Sequence, residues 1–316
     1  MIAKLQFNCR FSIIVFYHLI LTNWSLAQTH LPADPYYFLL NEKSQFEGNL
    51  PMQSNIFRPI YFNTDSTSFS FTIRNETYYN DNAPNQENMD VRYFGKGEGK
   101  YISFQAAYLG RFFAFVFEPY MVGGQNGYAE EVKRDSPYNV LNDYRIINKQ
   151  NFIKGGLRQG ALFIHWKGLG IGYGKLNQWW GEGQHTSIAM TNNTHAFSAL
   201  HIGTIKELKI NNIGLMGRYV FSKLNEYEDY RAIYYTALTM GITYYGKTVV
   251  SIGLSRNYLS GGLNVAVPWT AKDAANIVFE GLFVEDKSKL KYTVDGHDPW
   301  DQTLSGYLSI NSNVKP

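Results

Sequence analysis

The stretch SFSFTIR, residues 68–74, alternates between polar and apolar side chains at every step. Phe69, Phe71 and Ile73 share one face, whereas serine, threonine and arginine side chains occupy the other. Alternation of this kind predicts a β-strand, because successive side chains of an extended chain point to opposite faces of a sheet. The stretch therefore predicts a sheet with one apolar and one polar face.

The same alternation recurs in RFFAFVFEP, residues 111–119, and in LGIGYGK, residues 169–175. The polar faces of the alternating segments carry mainly Ser, Thr, Gly and Gln, which suit a crowded barrel lumen better than the water-exposed face of a soluble sheet. We therefore predict an all-β fold, an antiparallel transmembrane outer-membrane β-barrel, and keep a secreted β-sandwich as the alternative. The side chains expected to face lipid are those of Phe69, Phe71, Ile73, Phe113, Phe115, Phe117, Leu169, Ile171 and Tyr173.

The connections between the predicted strands alternate between short and long. Outer-membrane barrels have short periplasmic turns and long outer loops, so this alternation supports the barrel. The short turns are predicted at Leu109-Gly110, Lys167-Gly168, Asn211-Asn212 and Gly246-Lys247. The longer polar segments are residues 80–90, 123–150, 179–199, 225–230 and 260–275, and they are expected to face the cell exterior.

Residues 1–27 have the features of a secretory signal peptide. Lys4 and Arg10 precede an apolar run over residues 11–21, and Gln28 follows a small-residue cleavage pattern. No segment reaches the roughly 20 apolar residues that a membrane-spanning helix needs. Cys9, the single cysteine, lies in this peptide, so no disulfide or thiol chemistry is expected after cleavage. We predict export to the outer membrane of a Gram-negative cell.

The composition excludes one class of partner and favours another. Removing Lys4 and Arg10 from the 29 basic residues leaves 27 against 26 acidic ones, which gives no electrostatic reason to expect nucleic acid binding. Aromatic residues make up 16% of the chain and glycine is abundant, with 28 residues. This combination is typical of barrels whose aromatic girdles contact outer-membrane lipid.

The predicted organisation has three parts: the signal peptide, a segment over residues 28–66 and a barrel over residues 67–316. The middle segment alternates poorly and contains four prolines, so we interpret it as a periplasmic lead-in or a plug. The barrel segment contains about eleven strands, whereas closed bacterial barrels use even numbers. It also ends on Lys315-Pro316 and not on an aromatic strand residue. We therefore expect an incomplete barrel, an open sheet whose first strand near residue 67 lacks its neighbour.

Two motifs resemble the signature of the capsule assembly Wzi family. NQWWGEG, residues 177–183, precedes SIAMTNN, residues 187–193, and is similar to the family's Trp-Trp-Gly-x-Gly turn followed by a Ser-led apolar strand ending in paired asparagines. WDQTLSGYLSI, residues 300–310, resembles a second family motif in the same order. The resemblance implies an outer-membrane barrel of about eighteen strands. It also implies a lectin, not an enzyme, that helps to hold capsular polysaccharide on the cell, and the chain looks like a C-terminally truncated member.

Four residues of the first motif are candidate polysaccharide-binding residues: Trp179, Trp180, Asn192 and Asn193. Indole rings stack well on the C–H faces of sugars, and amides donate to and accept from hydroxyl groups. Two other placements compete for the tryptophans, an outward aromatic belt or an inward fold in which glycines permit a tight turn. The asparagines are equally suited to capping a loop turn.

Other functions fit the sequence less well. A diffusion porin is the main alternative to the capsule role. A hydrolase built from His185, Ser187 and His195 is less favoured because no acidic partner accompanies them at a telling spacing. The spacing of His185, His195 and His201 matches no standard metal site. We therefore predict no catalytic residues, no metal and no cofactor.

Overall fold

The computed structural model of the chain describes residues 35–49, 52, 54, 56–58, 67–81, 84, 90–127, 151–181, 183, 187, 189–191, 195–224, 232–261, 270–280 and 300–312. Within these ranges no helix is both long enough and apolar enough to cross a membrane. The predicted signal peptide and the last four residues lie outside the described residues.

Two helices and thirteen strands form the described part of the chain. The helices are α1 (Pro35–Phe46) and α2 (Ala271–Glu280). The strands are β1 (Phe57–Arg58), β2 (Ser68–Asn80), β3 (Gly97–Leu109), β4 (Phe113–Gly124), β5 (Phe152–Trp166), β6 (Leu169–Lys175), β7 (Trp179–Trp180), β8 (Ser198–Thr204), β9 (Leu208–Ile210), β10 (Ile213–Lys223), β11 (Ile233–Tyr245), β12 (Thr248–Gly261) and β13 (Trp300–Ser312).

Eleven strands form a single antiparallel sheet in the order β13-β12-β11-β10-β8-β6-β5-β4-β3-β2, with β9 also paired to β10. Strands β8 and β9 pair with successive stretches of β10 and so act as one interrupted strand. Neighbours in the chain are thus neighbours in the sheet, as in an up-and-down barrel. This arrangement confirms the predicted all-β, antiparallel fold class.

The sheet is open in the described part of the chain. Strands β2 and β13 are the two ends of the strand order, and their described residues are not paired with each other. The expectation of an unclosed sheet with an edge near residue 67 agrees with this arrangement. Each edge strand presents a row of backbone N–H and C=O groups that no other described strand satisfies.

The two faces of the sheet differ sharply in exposure, and we call them the outer and inner faces. Eight of the nine side chains predicted to face lipid are exposed, from 47% for Phe69 to 64% for Tyr173, and Phe115 is half-buried. The residues that alternate with them, such as Ala114 and Val116, are buried on the inner face. The predicted register is therefore confirmed, because a slip of one residue would exchange the two faces.

The predicted short turns are present at one end of the sheet. Lys167 and Asn211 adopt positive φ values of 51° and 52°, and Gly168 a φ of 91°, as tight hairpin turns require. The other end carries the longer connections, and much of these lies outside the described residues. We call these the short-turn end and the long-loop end.

Both helices were missed by the sequence prediction. Helix α2 begins in a segment that was predicted as a loop, and a capping box starts it: the Thr270 backbone N–H donates to Asp273 Oδ2, and the Asp273 N–H donates to Thr270 Oγ1, each at 3.2 Å. Its apolar side, Ala274, Ile277 and Val278, packs on the outer face of β10 to β12. The amphipathic pattern is only ten residues long, and apolar residues on both sides of it obscure its helical periodicity.

Candidate functional site

The two tryptophans of the first motif form the short strand β7, which pairs with β1. Trp180 lies opposite Phe57, and Trp179 lies opposite Arg58. The Gly181 N–H donates to the Ile56 carbonyl at 2.7 Å. A segment from before the large sheet is therefore hydrogen-bonded to residues 179–183, which we call the tryptophan turn.

Both tryptophan side chains are only 1% exposed. Trp180 belongs to a cluster with Ile56 and Phe57, whose other members come from the inner face of the sheet: Ala199, Met216, Val220 and Ala237. Burial of an indole ring removes a large apolar area from water and stabilises the packed arrangement by a few kcal/mol, on the order of 3. The structure thus places the pair inward and not in an outward aromatic belt. Sugar stacking by these rings stays a prediction, since neither ring presents a face to solvent here.

Glycine is required immediately after the tryptophans. Gly181 has a φ of 122°, which side-chain-bearing residues rarely adopt. A Cβ atom there would lie 2.7 Å from the Tyr307 ring and 2.9 Å from Ser187 Oγ. Beyond it, the Trp179 indole N–H donates to the Gly183 carbonyl at 2.8 Å. The chain therefore bends at Gly181, and the indole N–H of Trp179 is satisfied by a carbonyl just beyond the bend.

Arg58 is the main polar support of this turn. Its Nη1 donates to the Gly181 carbonyl at 2.7 Å and to the Gly183 carbonyl at 3.1 Å. Its Nη2 pairs with the Glu42 carboxylate of helix α1, and the two side chains are almost fully buried. A buried guanidinium is stable only when a carboxylate and hydrogen-bond acceptors satisfy it. Helix α1, strand β1 and the tryptophan turn are thus joined by one residue.

A second polar network holds the start of the tryptophan segment. Arg158 pairs with Asp90 and, at 2.8 Å, with Glu118, and all three side chains are buried. Asn177 joins it through a bond from its Nδ2 to Asp90 Oδ2 at 3.0 Å, while its backbone N–H donates to Gln159 Oε1 at 3.1 Å. The sequence analysis missed this network. The sequence feature that could have revealed the network is the presence of charged residues, Glu118 and Arg158, within the alternating strands β4 and β5.

The other predicted site residues are only partly described. Asn192 and Asn193 lie outside the described residues, so their predicted contact with sugar remains a prediction. Their neighbour Met190 is described, and its carbonyl accepts a hydrogen bond from the Trp180 N–H at 3.0 Å. The structure therefore connects the chain that leads to the asparagine pair directly to the tryptophan strand.

The residues considered for catalysis and metal binding are not brought together in the described structure. The Ser187 hydroxyl donates to the Trp180 carbonyl, whereas His185 lies outside the described residues. His201 is buried on the inner face beside Phe163, with ring centroids 5.6 Å apart. Among the described side chains, no three His, Cys, Asp or Glu residues form a group able to hold a metal ion.

The chain matches a known protein family. The family model described as capsule assembly protein Wzi matches residues 77–304, which is well over half of the chain and includes the tryptophan turn. No curated protein and no solved structure matches the chain.

Proposed function

The chain belongs to the Wzi family of capsule assembly proteins, and from this premise we propose that the long-loop end of its sheet holds capsular polysaccharide by lectin-like contacts around the tryptophan turn. Its role is in capsule assembly at the outer membrane, as for the family. The proposal rests on one observation: the family model matches a stretch of chain that includes both the sheet strands and the tryptophan turn.

We assign different tasks to the two residue pairs of the motif. Trp179 and Trp180 are buried, so in this conformation they act as the anchor of the segment that leads through Met190 to Asn192 and Asn193. The asparagine amides contact sugar hydroxyls in this proposal, because amides donate and accept at the same time. Direct stacking of the tryptophans on sugar requires the turn to open first.

The finer points of placement also belong to the proposal. Residues 1–27 direct export, residues 28–66 pack as a plug against the inner face, and the exposed apolar outer face contacts outer-membrane lipid. Support for the plug comes from Ile56 and Phe57, which lie in the cluster with inner-face residues. Support for lipid contact comes from the exposed apolar side chains on the outer face. The protein performs no catalysis in this proposal.

The proposal is tested by deletion of the gene followed by capsule staining, and then by complementation with variants. We expect the deletion strain to make normal total polymer but to release it into the medium. Replacing Trp179 and Trp180 together with Ala should reduce cell-bound polymer several-fold, because the segment bearing the asparagines loses its anchor.

Trp166→Ala is the matched control, since Trp166 is 64% exposed and lies at the short-turn end of the sheet. Complementation with this control should restore full retention. If the double variant reaches the outer membrane at normal levels and still retains all polymer, the tryptophan turn has no part in anchoring. If the deletion strain stops making polymer, the protein acts in synthesis and the anchoring proposal fails.

A further inference from the structure

A groove of about 930 Å³ opens at the long-loop end of β2 to β5. Strand register places it on the outer face. Thr77 lies opposite Lys100, Lys100 lies opposite Gly123, and Gly123 lies opposite Ile153. Thr77 shares the face of Phe69, since the two are an even number of residues apart in one strand. The groove therefore faces the lipid side of the sheet and not the lumen.

A glycine accounts for the depression at this point of the outer face. Gly123 stands in the middle of the row from Thr77 to Ile153, so no side chain fills that point. The next row towards the short-turn end pairs Ile102 with Met121, and Met121 is 53% exposed. Ile153 is 80% exposed and forms the opposite rim. A cleft bounded by apolar side chains thus runs between two rims of exposed hydrocarbon.

The groove lies where the apolar belt of the outer face ends. From Phe69 to Thr77 strand β2 advances by eight residues, which is about 27 Å along the strand and about 20 Å in height at the usual tilt. Apolar bands of outer-membrane barrels are roughly 25 Å tall. Over this distance the outer-face residues of β2 change from phenylalanine to threonine. The groove is therefore near the outer-leaflet edge of a band of this height, where the headgroup region begins.

The chemistry of the lining has two parts. Ile102, Met121 and Ile153 provide apolar sides, whereas Lys100 and Thr77 provide a cation and a hydroxyl group closer to the long-loop end than Ile102 and Met121. No described carboxylate forms an ion pair with Lys100. Glu98 on the upper rim is a hydrogen-bond acceptor that suits sugar hydroxyl groups. A ligand that satisfies all of these groups has an acyl chain, an anionic group and a saccharide.

We propose that this groove binds one acylated, anionic glycolipid of the outer leaflet, with its acyl chain along Ile102 and Met121 and its anionic group at Lys100. This site is separate from the tryptophan turn and adds a lipid-recognition function to capsule assembly. A lipid held at this position is bound beside the long-loop end, where the polymer is retained in the proposed function.

The test uses the full mature chain purified in detergent and titrated with fluorescent lipopolysaccharide. Lys100→Glu should weaken binding on the order of tenfold at moderate ionic strength, because the reversed charge repels the anionic group. Lys167→Glu is the control, since Lys167 is an exposed lysine beside Trp166 at the opposite end of the strands. It should bind as the parent protein does.

A second variant distinguishes binding of the acyl chain from binding of the headgroup. Ile153→Asp changes a side chain that is already 80% exposed, so it should not disturb folding. It should weaken binding of intact lipopolysaccharide and leave binding of the deacylated saccharide, already weak, unchanged. Three results would each overturn the proposal. The parent protein could bind deacylated saccharide, or phosphatidylglycerol, as tightly as intact lipopolysaccharide. Alternatively, Lys100→Glu and Lys167→Glu could lose the same amount of lipopolysaccharide affinity. Parental lipopolysaccharide binding by the Trp179 and Trp180 double variant is expected, so this site and the anchoring site fail or succeed independently.

Discussion

Replacing Arg58 with Met should release the tryptophan turn from the inner face. Methionine is unbranched and flexible and fills much of the space of arginine, although it is shorter, and it carries no charge and donates no hydrogen bonds. The substitution removes the ion pair with Glu42 and both hydrogen bonds to the carbonyls of Gly181 and Gly183. Glu42 then stays buried, with 5% of its surface exposed, after losing its ion pair with Arg58.

The magnitude follows from burial. Removing one member of a buried ion pair costs about 3–5 kcal/mol, because the remaining charge is left uncompensated in a poorly polarisable environment. The turn and β1 can detach without unfolding the large sheet, so the loss should appear as local opening. Since each 1.4 kcal/mol is about a factor of ten in an equilibrium constant, the opening equilibrium should rise by roughly two to four orders of magnitude.

Hydrogen exchange followed by mass spectrometry measures this opening directly. The reporters are the backbone amides of Trp180 and Gly181, which donate to Met190 and Ile56 in the closed turn. Their protection should fall by the same factor, whereas amides in the middle of the sheet should keep theirs. Restoring neutrality with Glu42→Gln in the Arg58→Met background should recover much of the loss, because the buried charge is removed.

Arg92→Met is the matched control for the loss of an arginine that forms an ion pair. Arg92 also makes a two-pronged ion pair, with both nitrogens 2.7 Å from Glu76, but Glu76 is 38% exposed. Solvent screens that pair, and the described hydrogen bonds of Arg92 go to Glu76 and not to the turn. Two results would refute the conclusion that Arg58 holds the turn closed. One is unchanged amide protection at residues 180 and 181 in Arg58→Met, and the other is an equal loss of protection there in Arg92→Met.

Two further predictions concern the same region. Gly181→Ala should destabilise the folded protein by roughly 1–3 kcal/mol in urea titrations, because alanine strains the backbone at positive φ and its Cβ would clash with Tyr307. Gly306→Ala is the control and should be close to neutral, because a Cβ at that position would have no neighbour within 4 Å. The purified protein should be electrically silent in planar bilayers, because Ile56 and Trp180 pack with inner-face side chains across the space that a pore would use. Discrete conductance steps in the parent protein would support the porin alternative.

Strand positions and the assignment of the two faces could be predicted from the sequence. Alternation in residues 68–74 and 169–175 is a local pattern, and an extended backbone converts it directly into two faces. The hairpin at Lys167-Gly168 is equally local, because its two residues must adopt positive φ. Features set within a few residues of chain can be predicted without knowledge of distant contacts.

The tertiary structure alone decided which way the tryptophans point. The sequence identified Trp179 and Trp180 as notable residues and allowed an outer, a belt or an inward placement. Their burial depends on Arg58, which is 123 residues away from Gly181 in the chain, and on inner-face residues from three other strands. Periodicity describes only neighbours within one element, whereas the free energy of burying an indole depends on which distant side chains surround it. That information arises only when the sheet and the segment before it are packed together.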